Sequence, residues 1–162
     1  MSAWILLHEV SHLVRNDGPY DPSPTGQVFN RTMEANANDW ATRFALAFWP
    51  QYQDDPRVLV KRGVGIGFAL FALAANRVFL GGNLVSQTHP SPIRRVRNYF
   101  KYLENAFGTK FPTEVIKIEN AVVSLLFGVM SFGRQPGDLT VEHETVAACL
   151  DYVEANFRPI VL

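Results

Sequence analysis

The sequence predicts an all-α fold, a compact single domain built as a bundle of about six helices with the helix that carries residues 8–12 at its centre. Three observations predict it. Apolar residues recur at helical spacing in every long segment, the breaks fall at prolines and glycines placed as helix starts and stops, and no segment alternates convincingly as a strand does.

The first helix is expected over residues 2–15. Trp4, Ile5, Leu6, Leu7, Val10, Leu13 and Val14 surround it with apolar side chains, the pattern of an enclosed helix. Residues 16–29 follow, "NDGPYDPSPTGQVF", whose two glycines and three prolines oppose regular structure and predict a long connection forming a rim or lid. The second helix is expected from about Asn30 to just before Pro50, with Ala37, Ala41, Phe44 and Phe48 along one face. A third starts on the pair Asp55 and Pro56, an N-cap followed by a proline at the first helical position, and runs to Gly81 and Gly82. Ser91 and Pro92 open a fourth that ends by Gly108. A fifth is predicted over 112–132 and a sixth over 140–157; residues 84–87 alone read as extended.

Fifteen basic residues against fifteen acidic ones leave no net field, which argues against a nucleic-acid groove or a polybasic membrane surface. The single cysteine, Cys149, cannot close an internal disulfide and reads as a small buried hydrophobe in a reducing, cytoplasmic setting. The apolar start of the chain has no basic region before it and is broken by His8 and Glu9, so it does not read as a signal peptide. Two apolar runs, 63–76 and 121–133, fall short of the roughly 18 to 20 residues that span a bilayer and read as core helices.

The chemistry is concentrated in "WILLHEVSHLVRND", which holds His-Glu-x-x-His at His8, Glu9 and His12. On a helix, residues four apart share a face, so His8 and His12 can bind one metal ion, with Glu9 a step round the helix beside it. Zinc at such a pair makes hydroxide available near neutrality, and the neighbouring carboxylate can take the water's proton and later pass it to the leaving amine. Catalytic zinc takes a third protein ligand. Glu34 is the candidate, because a helix returning beside the first brings its early turns to the histidines; the bland alternative is a first-turn acid favoured by the helix dipole. Asn38, four residues on, then lies on the same face and can orient a histidine by a hydrogen bond.

These residues resemble a known family. His-Glu-x-x-His followed by Glu34-x-x-Ala37-Asn38-x-x-Ala41 resembles the gluzincin metallopeptidases of the HtpX type, and "THPSPIRRV", residues 88–96, is similar to a His-Pro…Arg segment of those enzymes. The Trp40-Ala41 pair and the wording "HPSP" resemble more closely the Lit-type phage-exclusion peptidases. The resemblance implies that His8, His12 and Glu34 hold zinc, Glu9 is general base and acid, and Asn38 stands where an aspartate is usual. It further implies that His89 donates to the developing oxyanion and that Arg95, with Arg94, lines or braces the cleft. Read without the resemblance, His89 is an ordinary loop histidine and the arginines a solvated basic face, as His143 is a surface residue.

In enzymes of this type a small sheet precedes the zinc helix and holds the substrate backbone on its edge. Here the chain begins on that helix, so the sheet is expected to be absent, lost by truncation or supplied by a partner chain, and the uncovered flank of the first helix invites a second copy or another protein. Two functions from different classes follow. One is a zinc endopeptidase acting on a protein or peptide substrate; the other is an inactive or partner-dependent helical binding domain that keeps the metal site.

Overall fold

The computed structural model describes residues 2–47, 54–79, 90–130 and 145–156. Among them the chain forms six α-helices and no strand: α1 (Ser2–Val14), α2 (Pro24–Ala47), α3 (Pro56–Phe79), α4 (Pro92–Phe107), α5 (Pro112–Met130) and α6 (Val146–Asn156). The all-α bundle is as the periodicity predicts.

Two helix pairs organise it. α1 lies along α2, α3 lies along α5, and α4 touches α2, α3, α5 and α6. α4 shows why: Ile93, Val96, Tyr99, Phe100 and Leu103 are buried at three- and four-residue steps, while Arg94, Asn98, Lys101 and Glu104 are exposed. Its start is fixed by Ser91, whose Oγ accepts the Arg94 N–H at 3.2 Å, ahead of Pro92. Asp55 caps α3 in the same way, accepting the Arg57 N–H at 2.9 Å. The two apolar runs pack on one another: Ile66, Ala69 and Leu70 of α3 share a core with Ile118, Val122 and Leu126 of α5. No helix among the described residues is long and apolar enough to cross a membrane.

The expected boundaries change at two places, and one buried face differs. α2 begins at Pro24, not near Asn30, because Ser23 caps it: its Oγ accepts the Gly26 N–H at 3.0 Å and Pro24 takes the first position, where its missing N–H costs nothing. The connection therefore shortens to 15–23. α6 begins at Val146, where Thr145 caps it by accepting the Ala148 N–H at 3.1 Å, and residues 140–144 lie outside the described set. The buried stripe of α2 is Asn30, Met33, Glu34, Ala37, Ala41 and Leu46, whereas Phe44 is exposed and stacks on Trp40 with ring centroids 5.2 Å apart. Phe48, Gly81, Gly82, His89, His143, residues 84–87 and the predicted ends of the third, fifth and sixth helices fall outside the described residues.

The enclosure expected for α1 is one-sided. Trp4, His8 and Ser11 are buried towards the bundle, while Leu6, Leu13 and Val14 are 64%, 79% and 67% exposed. An all-round apolar pattern marks a helix that needs cover, but which flank receives it depends on neighbours, and α1 packs chiefly against α2. Cys149 is half-buried beside the core.

Candidate metal centre

α1 and α2 are joined at three successive levels. Trp4 Nε1 donates to Thr42 Oγ1 at 3.1 Å, deep in the interface. The small Ala37 and Ala41, both wholly buried, let the helices approach. One and two turns along from Trp4, His8 and His12 meet Glu34, which is 2% exposed although it is an acid. Such burial needs compensation.

The three side chains converge. His8 Nε2 lies 3.2 Å from Glu34 Oε2, His12 Nε2 lies 3.5 Å from Glu34 Oε1, and the two Nε2 atoms are 3.3 Å apart. A tetrahedral ion with bonds of about 2.0–2.1 Å separates its ligand atoms by about 3.3 Å. The nitrogen–nitrogen distance and the His8–Oε2 distance match that figure, the His12 distance runs to the other carboxylate oxygen, and the donor set of two imidazoles and a carboxylate suits a borderline divalent metal.

Further contacts orient these side chains. His12 Nδ1 is 2.8 Å from Asp17 Oδ2, whose other oxygen lies 3.6 Å from Arg15 Nε. The helix end makes this geometry: Asn16 takes φ 53°, the Asn16 N–H bonds the Leu13 carbonyl at 3.2 Å, and the Asp17 N–H bonds the His12 carbonyl at 3.0 Å. These are the two bonds of a Schellman closure, and they return Asp17 over the histidine. Tyr20 donates its hydroxyl to Glu34 Oε1. Burial first, then the Glu34 and Glu9 carboxylates, hold its phenol well above the usual range. From α4, an Arg95 guanidinium nitrogen lies 3.9 Å from Glu34 Oε2, and its Nε donates to the Pro90 carbonyl at 3.4 Å.

His8, His12, Glu34 and Arg95, the residues expected at the centre, are thus brought together, and Glu9 sits exposed on α1 next to His8. Arg94 is not brought in; it faces solvent on α4. His89 lies outside the described residues. Asn38 departs from its expected role: its side-chain nitrogen and oxygen are buried without a hydrogen-bond partner, as is His8 Nδ1, so it orients neither histidine. Asn38 instead lines a cleft of about 370 Å³ with Trp4, Thr42, Arg95, Lys101 and Tyr102. Asp17 and Tyr20 were not singled out by the sequence. "ND" after an apolar helix is the signal for the first, since asparagine tolerates the left-handed closure; Tyr20 leaves no local signal.

An α-helical bundle with a buried His-His-Glu cluster is a frame for metal-dependent chemistry. The sequence profile of the family Peptidase U49 matches residues 2–111, more than half of the chain, and the chain belongs to that family. The match takes in α1 to α4, all the elements that build the cluster, and supports a peptidase acting on protein or peptide substrates. No curated protein and no solved structure matches the chain.

Proposed function

We propose that the chain is a zinc-dependent endopeptidase of the gluzincin type, in which His8, His12 and Glu34 hold the metal and Glu9 moves the proton. The observation that carries the reading is the cluster itself, with nitrogen–nitrogen and nitrogen–oxygen distances of 3.2–3.5 Å around the buried His8 and Glu34 and the half-buried His12, in a peptidase family. Zinc, when bound, would polarise the scissile carbonyl and lower the pKa of water towards about 7.

The chain's own residues supply the rest. A carboxylate oxygen of Glu9, exposed and adjacent in sequence to His8, takes the proton of the attacking water and delivers it to the nitrogen of the leaving amine. Asp17 holds His12 with Nδ1 protonated and Nε2 free to ligate. Arg95 sets positive charge beside the Glu34 carboxylate and braces Pro90, next in sequence to His89. His89 is the residue we assign to hydrogen bonding of the oxyanion.

The test is the metal content of the purified chain beside proteolysis by wild type and Glu9→Gln. One zinc per chain in both, with cleavage only in wild type, is the expected result; cleavage that persists in Glu9→Gln sinks the mechanism. The exposed Leu6, Leu13 and Val14 favour a second reading, a partner-dependent binding domain that keeps the site without turnover. Zinc uptake without proteolysis by wild type, and partner binding unchanged in a folded His8→Ala variant, is the pattern that reading requires.

A further inference from the structure

Both oxygens of Glu34 face the histidine pair, Oε2 at 3.2 Å from His8 Nε2 and Oε1 at 3.5 Å from His12 Nε2. A carboxylate so placed can bind an ion through either oxygen or through both. The choice matters, because a second oxygen on the metal occupies room that a catalytic site keeps for water. Oε1 already receives the Tyr20 hydroxyl.

The placement of Tyr20 is itself built. Asn30 is completely buried on α2, and its side chain is spent on one residue of the connection: its amide nitrogen donates to the Asp21 carbonyl at 2.8 Å, and its oxygen accepts the Asp21 N–H at 3.3 Å. One turn earlier, Gly26 is buried where a β-carbon would strike the Asp21 side chain, so the connection lies directly on the helix. Asp21 Oδ1 in turn accepts the Ser23 N–H at 2.8 Å. A buried amide satisfied in both directions by one backbone residue fixes that residue closely, and Tyr20 is its neighbour. The segment that reads as a rim or lid is a fixed bracket.

We propose that Tyr20 determines how Glu34 binds the metal: the phenol hydroxyl retains Oε1, the ion takes Oε2 alone, and the fourth position stays open for water, with Asn30 as the residue that keeps Tyr20 in place. The inference rests on the zinc-site reading above. Tyr20 and Asn30 are positioning residues, acting through Glu34.

Cobalt reports this directly, because its visible absorption is stronger in four-coordinate than in five-coordinate sites. The experiment loads Co²⁺ into the full chain as wild type, Tyr20→Phe, Asn30→Ala and the double variant, each checked for folding by circular dichroism. In Tyr20→Phe the freed oxygen joins the metal and the absorption falls about two- to threefold; Asn30→Ala shifts the same way, and the double variant adds nothing. An unchanged cobalt spectrum in folded Tyr20→Phe overturns the proposal, and that variant decides it alone if Asn30→Ala does not fold. A wild-type chain that takes up no cobalt overturns the metal reading and this inference with it. A Tyr20-dependent spectrum in a wild-type chain that cleaves nothing supports this inference while the peptidase mechanism falls.

Discussion

Asp17 stands 2.8 Å from Nδ1 of His12, the ring nitrogen turned away from the Glu34 cluster. A carboxylate in that position fixes the histidine's tautomer and raises its basicity towards a metal on Nε2. Asp17→Asn keeps the shape and weakens this polarisation, and Asp17→Ala removes it. Zinc affinity is expected to fall by about 10- to 100-fold in Asp17→Ala, and less in Asp17→Asn, with the helix content unchanged. Competition with a chromophoric chelator measures it; equal affinity in all three chains rules the role out.

Glu9 is exposed and outside the ligand set, so its removal separates chemistry from metal binding. Glu9→Gln is expected to retain one zinc and to lose about 10²- to 10⁴-fold in turnover, the range for a positioned acid–base group. Elemental analysis beside a casein-cleavage assay reads both. Loss of zinc in this variant would instead make Glu9 a ligand.

A buried acid far from the cluster predicts how stability depends on pH. Glu119 on α5 is 7% exposed, its Oε1 has no hydrogen-bond partner, and burial, with the Glu104 charge second, pushes its carboxyl up to about 7. In the unfolded chain it ionises near its ordinary value of 4.5, so between about pH 4.5 and 7 the unfolded state gives up the proton first and stability falls as pH rises. Glu119→Gln removes this dependence and is expected to gain on the order of 2 kcal/mol over wild type above pH 7, with little difference at pH 4.5. Denaturant titrations at pH 5 and pH 8 test it: parallel curves for the two proteins at both values refute the assignment.

The α3–α5 contact depends on absent side chains. A β-carbon on Gly67 would strike Val122, and one on Gly63 would lie 2.5 Å from Ile118 Cδ1 and 3.0 Å from the Tyr99 hydroxyl oxygen, which donates to the Gly63 carbonyl at 2.6 Å. Val122 is fully buried and stiff at χ1, so it has little room to yield. Gly67→Ala should therefore cost about 1–3 kcal/mol despite the better helix propensity of alanine. Gly65, with open space around its position, is the control: Gly65→Ala is expected to stabilise. Thermal midpoints that rise in both variants would show that the helices can separate without penalty.

The six helices and the caps of α3 and α4 were legible because their signals are local. Asp55 with Pro56 and Ser91 with Pro92 write a helix start into two adjacent residues, and the apolar period along α4 specifies its buried face. Where local signals compete, the reading slipped: the prolines of the first connection looked like breakers, yet Pro24 occupies the one helical position that tolerates it. Spacing puts Phe44 on one face with Ala37 and Ala41, yet those alanines are buried while Phe44 is exposed and stacks on Trp40.

By itself, the sequence determined that the protein is helical and that His8 and His12, four residues apart on one helix, share a face. It also named Glu34 as the third candidate ligand, a guess about which helix returns beside the first. Only the tertiary structure decided that Glu34 meets both histidines at 3.2 and 3.5 Å, that Asp17 rather than Asn38 contacts His12, and that Tyr20 reaches the cluster from a bracket held by Asn30. The reason is physical. Helix periodicity and capping act over a few residues of backbone, whereas the hydrogen bond that a side chain makes depends on the angle and depth at which distant segments pack.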